Sequence, residues 1–241
     1  MTDEQPVDAF PLHTAAHEGR ELAVRSLIRS EPSLISKRDD DGRTPLFWAV
    51  SAGNADIVQS LLTAAKGPDG QLKRIDIDDT DEAGWTVSHI AASIGSLAIL
   101  NMLLPYDPDL SIQTSAGQTP LHYAVSRVRH EVAVRLIEKY PGAVRIKDRQ
   151  NQLPLHRAAA IGNIPLITLL IKNKSPLNTV DRSGWTPLFH AAAEGHGDAA
   201  LALVRAGADT ERLDPDGNIF LNVCPDDKVK KWIQDMIARD L

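Results

Sequence analysis

Histidine is the chemically versatile residue with the clearest regular spacing in this 241-residue sequence. His13, His89, His122 and His156 each lie two residues after the start of a short motif that reads Pro-Leu or a variant of it. Imidazoles can act as acids, bases or metal ligands. A side chain that recurs once per repeating segment is more typical of a structural role, however. We expect these imidazoles to hydrogen-bond backbone groups of adjoining segments.

Three further groups have the composition of a reactive site but not its spacing. His13 and His17 are four residues apart, as a zinc-binding pair can be, yet no third ligand follows at a typical distance. The acidic run 76–82 begins like a calcium loop but lacks the glycine and the final glutamate of one. Cys224 has no histidine-bearing motif around it, which indicates a buried or inactive thiol. We predict a protein that is not an enzyme, with no metal and no cofactor.

Composition and charge exclude several classes of protein. The chain has 26 basic and 32 acidic residues, a net charge of −6, and this mild acidity argues against general nucleic-acid binding. The single cysteine permits no intrachain disulfide and favours a reducing, intracellular compartment. No apolar run approaches the ~18 residues of a membrane span, and the polar start lacks the apolar region of a secretory signal. We expect a soluble protein that binds neither nucleic acid nor membrane.

The positions of the Pro-Leu motif reveal an internal repeat. Its first residues are Pro11, Pro45, Val87, Pro120, Pro154, Pro187 and Phe220. They are spaced 34, 42, 33, 34, 33 and 33 residues apart. A period of about 33 with a Thr-Pro-Leu-His motif resembles the ankyrin repeat, in which a finger turn precedes two antiparallel helices.

The repeat predicts an all-α ankyrin-repeat solenoid of seven helix-turn-helix units with finger turns. We expect one domain over residues 1–241, with units at about 5–38, 39–80, 81–113, 114–147, 148–180, 181–213 and 214–241. The second unit has nine extra residues, and the Gly/Pro-rich segment 65–71 within the insertion at 64–75 predicts a mobile surface loop. Apolar residues at helical spacing in 228–241 predict a closing helix over the last hydrophobic layer.

Local residue types agree with this architecture. Glycine or Asn151 stands three residues before six of the motifs, where a tight turn requires positive φ. Thr44, Thr119 and Thr186 precede a proline and are expected to cap the first helix through their hydroxyls. A second glycine follows the first helix in five units, as expected after a helix C-terminus.

Charge is divided unequally along the chain. Residues 1–112 sum to −9 and residues 113–241 to +3, so the early finger turns are acidic and the later ones basic. Repeat solenoids bind partners on an elongated concave surface, and we expect a partner of complementary charge order. The predicted partner-binding residues are Asp39, Asp40, Asp41, Arg43, Trp48, Asp81, Glu82, Trp85, Arg127, Arg149, Arg182 and Trp185. The tryptophans would be the anchors, although Trp48 could equally pack under its own repeat.

Four stretches resemble gankyrin, the seven-ankyrin-repeat protein family of the proteasome regulatory particle. They are Trp48–Gly53 with Ile57–Val58, Ala83–Trp85 with His89–Ser93, His122–Ala124 with Arg129–Val134, and His156–Asn163. The Leu-x-Cys-x-Glu motif of vertebrate gankyrin is absent, because the corresponding stretch reads His190–Glu194 without the leucine or the cysteine. The retinoblastoma-type binding that this motif serves is therefore not expected.

The resemblance implies a function for this chain. Members of the family hold the C-terminal domain of a proteasomal AAA ATPase, the third of the regulatory hexamer. They do so during assembly of the regulatory-particle base, and they delay its docking on the core particle. For this chain we further expect a protein that is monomeric when free and located in the cytoplasm and nucleus. The fold alone leaves one alternative open, an adapter or inhibitor that sequesters a kinase or a transcription factor.

Overall fold

Each unit begins its first helix at the Pro-Leu motif, because proline fixes a helical φ and has no N–H to leave unpaired at this position. The computed structural model describes residues 8–67 and 75–240 of the chain. The first helices of the six leading units are α1 Pro11–His17, α3 Pro45–Ser51, α5 Val87–Ile94, α7 Pro120–Ser126, α9 Pro154–Ile161 and α11 Pro187–Ala193. The second helices are α2 Glu21–Ser30, α4 Ala55–Ala65, α6 Leu97–Leu103, α8 His130–Lys139, α10 Ile164–Lys172 and α12 Gly197–Arg205.

The chain divides into two compact units, Met1–Asp109 and Leu110–Leu241. In the first, α1, α3 and α5 pack in succession, and each packs on the second helix of its own repeat. In the second, α7, α9 and α11 do the same with α8, α10 and α12. The all-α ankyrin architecture is confirmed. The extent of a single domain over 1–241 stays a prediction.

Small residues allow the first helices to approach closely. The alanine pairs of these helices are buried at Ala15–Ala16, Ala91–Ala92, Ala158–Ala159 and Ala191–Ala192. Large side chains fill the space between helices, and Phe47, Phe189 and Phe220 are almost fully buried. Burial of apolar surface at about 25 cal/mol per Å² is the main stabilising term for such a stack, because one repeat alone leaves this surface exposed.

The finger turns have the predicted backbone conformation. Positive φ occurs before the motif at Gly42, Gly84, Gly117, Asn151, Gly184 and Gly217. The predicted capping by threonine hydroxyls is wrong at two positions, however. Thr44 makes no side-chain capping bond, and the buried Thr186 hydroxyl has no hydrogen-bond partner in the described part of the chain. At Thr119 the capping prediction is confirmed, because this residue forms a capping box with His122, whose Nδ1 lies 2.9 Å from the Thr119 hydroxyl.

The last repeat ends differently from the others. A short 3-10 helix, Phe220–Val223, replaces the first helix, and α13 Asp227–Asp240 follows as the predicted closing helix. This helix packs on α12 and buries Ile233 completely. Trp232 remains 39% exposed. No helix among the described residues combines the length and apolar character required to cross a membrane.

The insertion of the second unit is described only at its ends. Helix α4 continues to Ala65, and the chain resumes with buried Ile75 and Ile77. The Lys66 ammonium lies 5.4 Å from the centre of the Tyr106 ring, a cation–π contact. The predicted loop at 65–71 lies mostly outside the described residues, since 68–74 are not among them.

One turn carries a side chain that its backbone does not favour. Val128, directly after α7, has a φ of 57°, a left-handed conformation unfavourable for a β-branched residue. We expect Val128→Gly to raise the free energy of unfolding by about 1 kcal/mol. The released strain of ~1–3 kcal/mol exceeds the entropy that glycine adds to the unfolded chain. Urea unfolding of both proteins checks this, and a less stable variant would contradict it.

Candidate protein-binding surface

His13, His122 and His156 connect successive repeats, as predicted. His122 Nδ1 accepts the Thr119 N–H at 3.1 Å, so Nε2 carries the proton and donates to the Gln152 carbonyl, 30 residues away, at 3.2 Å. His156 repeats this arrangement with the Leu153 N–H and the Thr179 carbonyl. Burial lowers the pKa of both imidazoles to about 4. They are neutral structural groups at physiological pH.

The first histidine of the series departs from this pattern. His13 Nε2 donates to the Arg43 carbonyl at 3.0 Å, which makes the connection to the next finger. Its Nδ1 atom, however, has no partner among the described residues. The reason is local, because the Phe10 N–H that would correspond to the Thr119 N–H donates to Asp8 instead.

An aspartate organises five of the finger turns, a regularity that the sequence analysis overlooked. It stands six residues before the motif, at Asp39, Asp81, Asp148, Asp181 and Asp214. One carboxylate oxygen accepts the N–H groups two and four residues later, as Asp148 does from Gln150 at 2.8 Å and Gln152 at 2.9 Å. Its constant distance from the motif is the sequence signal that could have revealed this structural role.

The second oxygen of the same aspartate binds a side chain from a first helix or from the preceding finger. Asp39 Oδ2 accepts the Trp48 indole N–H at 2.7 Å. Asp181 Oδ2 contacts His190 Nε2 and accepts from Gln152, both at 2.9 Å. Partial burial acts to raise the pKa of Asp39 and Asp181, but these hydrogen bonds outweigh it and lower both values.

Asp81 is therefore not an exposed contact residue. It is buried, at 5% exposure, and accepts the N–H groups of Ala83 and Trp85. Its remaining oxygen is 3.0 Å from Nε of Arg43, which belongs to the preceding finger. The sequence prediction of direct partner binding by Asp81 is corrected to a positioning role, because its carboxylate is already occupied.

The first compact unit presents three carboxylates at its finger tips. Asp40, Asp41 and Glu82 are exposed. The Glu82 N–H donates to the Asp41 carbonyl at 3.1 Å, so the two tips are joined by a backbone hydrogen bond. These side chains therefore project from a fixed backbone, which lowers the entropy lost when a partner binds.

Trp48, Arg43 and Trp85 form a half-buried group behind those tips. The Arg43 guanidinium lies 5.6 Å from the centre of the Trp48 ring, and the His17 ring packs edge-on against the same indole with ring centres 5.1 Å apart. The three residues, with Ser93 and others, line a cleft of about 220 Å³. The sequence left open whether Trp48 packs under its own repeat or faces a partner. In the structure it packs within its repeat and also borders an open cleft.

The second compact unit presents basic side chains at the equivalent tips. Arg149 and Arg182 are exposed, and neither makes a side-chain ion pair or hydrogen bond within the described residues. The Arg149 N–H donates to the Ala116 carbonyl at 3.1 Å, and the Arg182 N–H to the Gln150 carbonyl at 2.9 Å. Neighbouring finger tips are therefore joined by backbone hydrogen bonds as in the first unit, but the tips carry the opposite charge.

Two other predicted residues of this unit lie away from the tips. Arg127 is exposed at the C-terminal end of α7. Trp185 is half-buried beside His190, with ring centres 5.5 Å apart, and its indole N–H hydrogen-bonds Asp214. Partner binding through these residues and the tips stays a prediction. The exposed, charged arginines have the properties that such binding requires.

The remaining reactive groups have structural surroundings. Asp78 accepts the Asp109 N–H at 2.9 Å, and Asp79 pairs with Arg38, so the acidic run holds together neighbouring loops. Within residues 8–67 and 75–240, no group of three or more His, Cys, Asp or Glu side chains could hold a metal ion. Burial raises the pKa of the Cys224 thiol, which keeps it protonated.

Stacked helix pairs joined by hydrogen-bonded finger turns define an ankyrin-repeat protein, and comparison with known proteins agrees. Residues 2–74, 70–148 and 129–214 match a family model described as ankyrin repeats in three copies. The chain belongs to the ankyrin-repeat family, and within it to the gankyrin type, as the following relatives show.

Two yeast proteins are similar over most of the chain. This chain is 44% identical to the probable 26S proteasome regulatory subunit p28 of Saccharomyces cerevisiae, over 92% of this chain and 96% of that protein. It is also 44% identical to an ankyrin repeat-containing protein of Schizosaccharomyces pombe, over 84% of this chain and 85% of that one.

Solved ankyrin domains have the same fold. The crystal structure of the Bcl-3 ankyrin repeat domain is 26% identical with a TM-score of 0.77, covering 95% of this chain and 100% of that one. The human ASB11 ankyrin repeat domain is 22% identical with a TM-score of 0.79, over 93% and 96% of the two chains.

Proposed function

We propose that this protein is a non-enzymatic, protein-binding component of the proteasome system. It would hold the C-terminal domain of a regulatory-particle ATPase, the third of the hexamer, during base assembly and delay docking on the core particle. The similar yeast protein is named as a 26S proteasome regulatory subunit, and it is 44% identical over 92% of this chain. The cytoplasmic and nuclear location expected from the resemblance is part of the same proposal.

The observation that carries the proposal is the order of exposed charges on the finger tips. Asp40, Asp41 and Glu82 are carboxylates on the first compact unit, whereas Arg149 and Arg182 are guanidinium groups on the second. The tips of the first unit fit a basic region of a partner, and those of the second unit fit an acidic region. Charges of this kind govern orientation and association rate more than affinity, whereas buried aromatic anchors contribute most of the affinity.

The geometry of the fingers supports a preformed binding surface. In five of the fingers an aspartate accepts two backbone N–H groups, and backbone hydrogen bonds join neighbouring tips within each compact unit. The surface therefore requires little reorganisation on binding. Trp48 and Trp85 border the cleft beside the acidic tips, where a partner side chain could be buried.

Capture from a cell lysate tests the identity of the partner. The full-length protein, immobilised at one terminus, should enrich regulatory-particle ATPases, with the third ATPase as the direct partner when isolated C-terminal domains are compared. Enrichment of kinase or transcription-factor subunits without those ATPases would contradict the proposal and support the adapter alternative.

Charge reversal tests the role of the acidic tips. We expect Asp40→Lys combined with Glu82→Lys to lower the association rate for the ATPase domain about tenfold at low salt, with a smaller effect at high salt. Stopped-flow binding at two ionic strengths measures this. Stability should change little, because both side chains are exposed.

A matched variant controls for net charge. Glu31→Lys combined with Asp56→Lys changes the charge of the same unit equally, but these exposed residues lie at the end of α2 and in the first turn of α4. The control should associate nearly as fast as the unmodified protein. Equal slowing of both double variants would show that overall charge, and not the finger tips, steers the partner.

A further inference from the structure

A pocket of about 250 Å³, which we call the α1 pocket, lies beside the first helix of the chain. Helix α1 and the residues just before it form one wall of the pocket. Asp39 of the first finger turn and Trp48 of α3 form the other wall. The volume is below the ~300–1,000 Å³ of sites for drug-sized ligands, so the pocket suits a small molecule.

His13 contributes a buried acceptor without a donor to this pocket. The side chain lines the pocket and is 4% exposed, and its Nδ1 atom has no hydrogen-bond partner among the described residues. His13 Nε2 makes the same connection to the next finger as His122 Nε2 does. The two rings are therefore oriented alike, and His13 Nδ1 is turned toward Phe10 as His122 Nδ1 is toward Thr119. Phe10 lines the pocket, and its N–H donates to Asp8 instead.

The protonation state of His13 defines what a ligand must offer. Burial lowers the pKa of this imidazole, so it is neutral at physiological pH. Its proton is on Nε2, which donates to the Arg43 carbonyl, and Nδ1 therefore presents a lone pair. A buried acceptor without a donor costs free energy and is uncommon in folded proteins. A ligand that donates an N–H or O–H group would remove this cost.

The charges around the pocket select a cationic donor. Three carboxylates line it, at Asp8, Glu18 and Asp39, whereas its described lining contains no lysine or arginine. Glu18 is paired with Arg20 at 2.6 Å, but Arg20 is not part of the lining. The hydrogen bond from the Phe10 N–H lowers the pKa of Asp8, which keeps that carboxylate ionised. Asp8 and Asp39 thus place one negative charge on each wall of the pocket.

Aromatic rings supply the remaining surface. Phe10, His17 and Trp48 all line the pocket, and the His17 and Trp48 rings pack edge-on with centres 5.1 Å apart. Such rings contact alkyl chains and attract ammonium groups through their π-electrons. The walls are therefore suited to a molecule that is apolar in the middle and cationic at its ends.

We propose that the α1 pocket is a binding site for a short aliphatic diamine, the chemical class of the polyamines. One ammonium group donates to His13 Nδ1 and pairs with Asp8, and the other pairs with Asp39. The alkyl chain between them lies against Phe10 and Trp48. The site is independent of the proposed function, because no ATPase takes part in it.

Four small molecules test the charge and the source of the ligand on the full-length protein at neutral pH. Putrescine has both ammonium groups, n-butylammonium has one, and n-butanol has the same alkyl chain without charge. Lysine blocked at its amino and carboxyl groups represents a side chain of another protein. Titration calorimetry should show that putrescine binds about tenfold more tightly than either monocation, and n-butanol most weakly. Absence of putrescine binding would overturn the proposal, as would equal affinity for n-butanol or for the blocked lysine.

Charge variants locate the binding in the pocket. Asp8→Asn keeps an acceptor for the Phe10 N–H but removes the charge, and it should weaken putrescine binding about tenfold. Asp56→Asn is the matched control, because it removes the same charge from an exposed residue in the first turn of α4. The control should bind like the unmodified protein. Equal weakening by the two variants would mean that putrescine responds to overall charge, which would overturn the site.

Histidine variants test the orphaned acceptor. Gln replaces the Nε2 donor of an imidazole but not Nδ1, so His13→Gln should weaken putrescine binding about tenfold while it keeps the bond to the next finger. His122→Gln is the control, because the Nδ1 atom of that residue is already occupied by Thr119. Nitrogen NMR of the unmodified protein should show that putrescine shifts the His13 Nδ1 signal and not that of His122. Unchanged affinity in His13→Gln, or an unmoved His13 signal in the putrescine complex, would overturn the proposal.

Discussion

Gly117→Ala should destabilise the protein by about 3–4 kcal/mol. A Cβ atom at this position would lie 2.6 Å from the backbone nitrogen of Arg149 and 3.1 Å from the carbonyl carbon of Asp148. That nitrogen donates the hydrogen bond to Ala116 that joins two fingers. The cost combines a left-handed φ of +76°, an overpacked contact and a lost hydrogen bond, each worth about 1 kcal/mol or more.

Gly217→Ala separates these contributions. Gly217 occupies the same place in the last finger with a φ of +81°, but an added Cβ would meet no atom within 4 Å. Only the conformational cost of about 1 kcal/mol applies. Urea unfolding at 25 °C, followed by circular dichroism, should therefore show a loss at least 2 kcal/mol greater for Gly117→Ala. Equal losses would mean that the finger contact contributes nothing.

Acidification should destabilise the protein through two buried histidines. Burial lowers the pKa of His122 and His156 to about 4, from an ordinary value of 6.5 in the unfolded chain. The unfolded state therefore binds more protons between these values, and the free energy of unfolding falls as the pH falls from about 6.5 to about 4. At pH 4.5 the two residues together should remove about 5 kcal/mol. Above pH 6.5 the neutral His122 and His156 make their full contribution to the free energy of unfolding.

Variants that do not titrate identify the source of this pH dependence. Gln can accept and donate in place of the imidazole, so His122→Gln should lower stability at pH 7 but reduce the slope of stability against pH by about one proton. His156→Gln should act in the same way. A slope in the His122 variant equal to that of the unmodified protein would rule out the assignment.

The architecture was predictable because the repeat is encoded by local rules. The spacing of about 33 residues between Pro-Leu motifs located every first helix of the leading units, and glycine located most of the turns on either side. The structural role of His122 and His156 followed from their recurrence alone. These features depend on the φ of single residues and on hydrogen bonds between residues three positions apart. Both can be inferred from the residue types within a short stretch of sequence.

Features that depend on the next repeat were not predictable in the same way. Asp40 and Asp81 both read as acidic finger residues, yet Asp40 is exposed and Asp81 is buried. The position of Asp81 six residues before the motif could have indicated its two local N–H bonds. Its ion pair with Arg43, 38 positions earlier, depends on how neighbouring fingers pack and could not have been read from local spacing. Thr44 and Thr186 stand at helix starts as predicted, but packing leaves their hydroxyls without a capping bond.

The sequence by itself thus determined the repeat, its helices and turns, the order of charges along the chain and the gankyrin-type resemblance. Only the tertiary structure decided which charges are exposed and which organise the fingers, and it alone revealed the strained valine after α7. The physical reason is that burial and hydrogen bonding of a side chain are set by residues one repeat away, which local spacing does not specify.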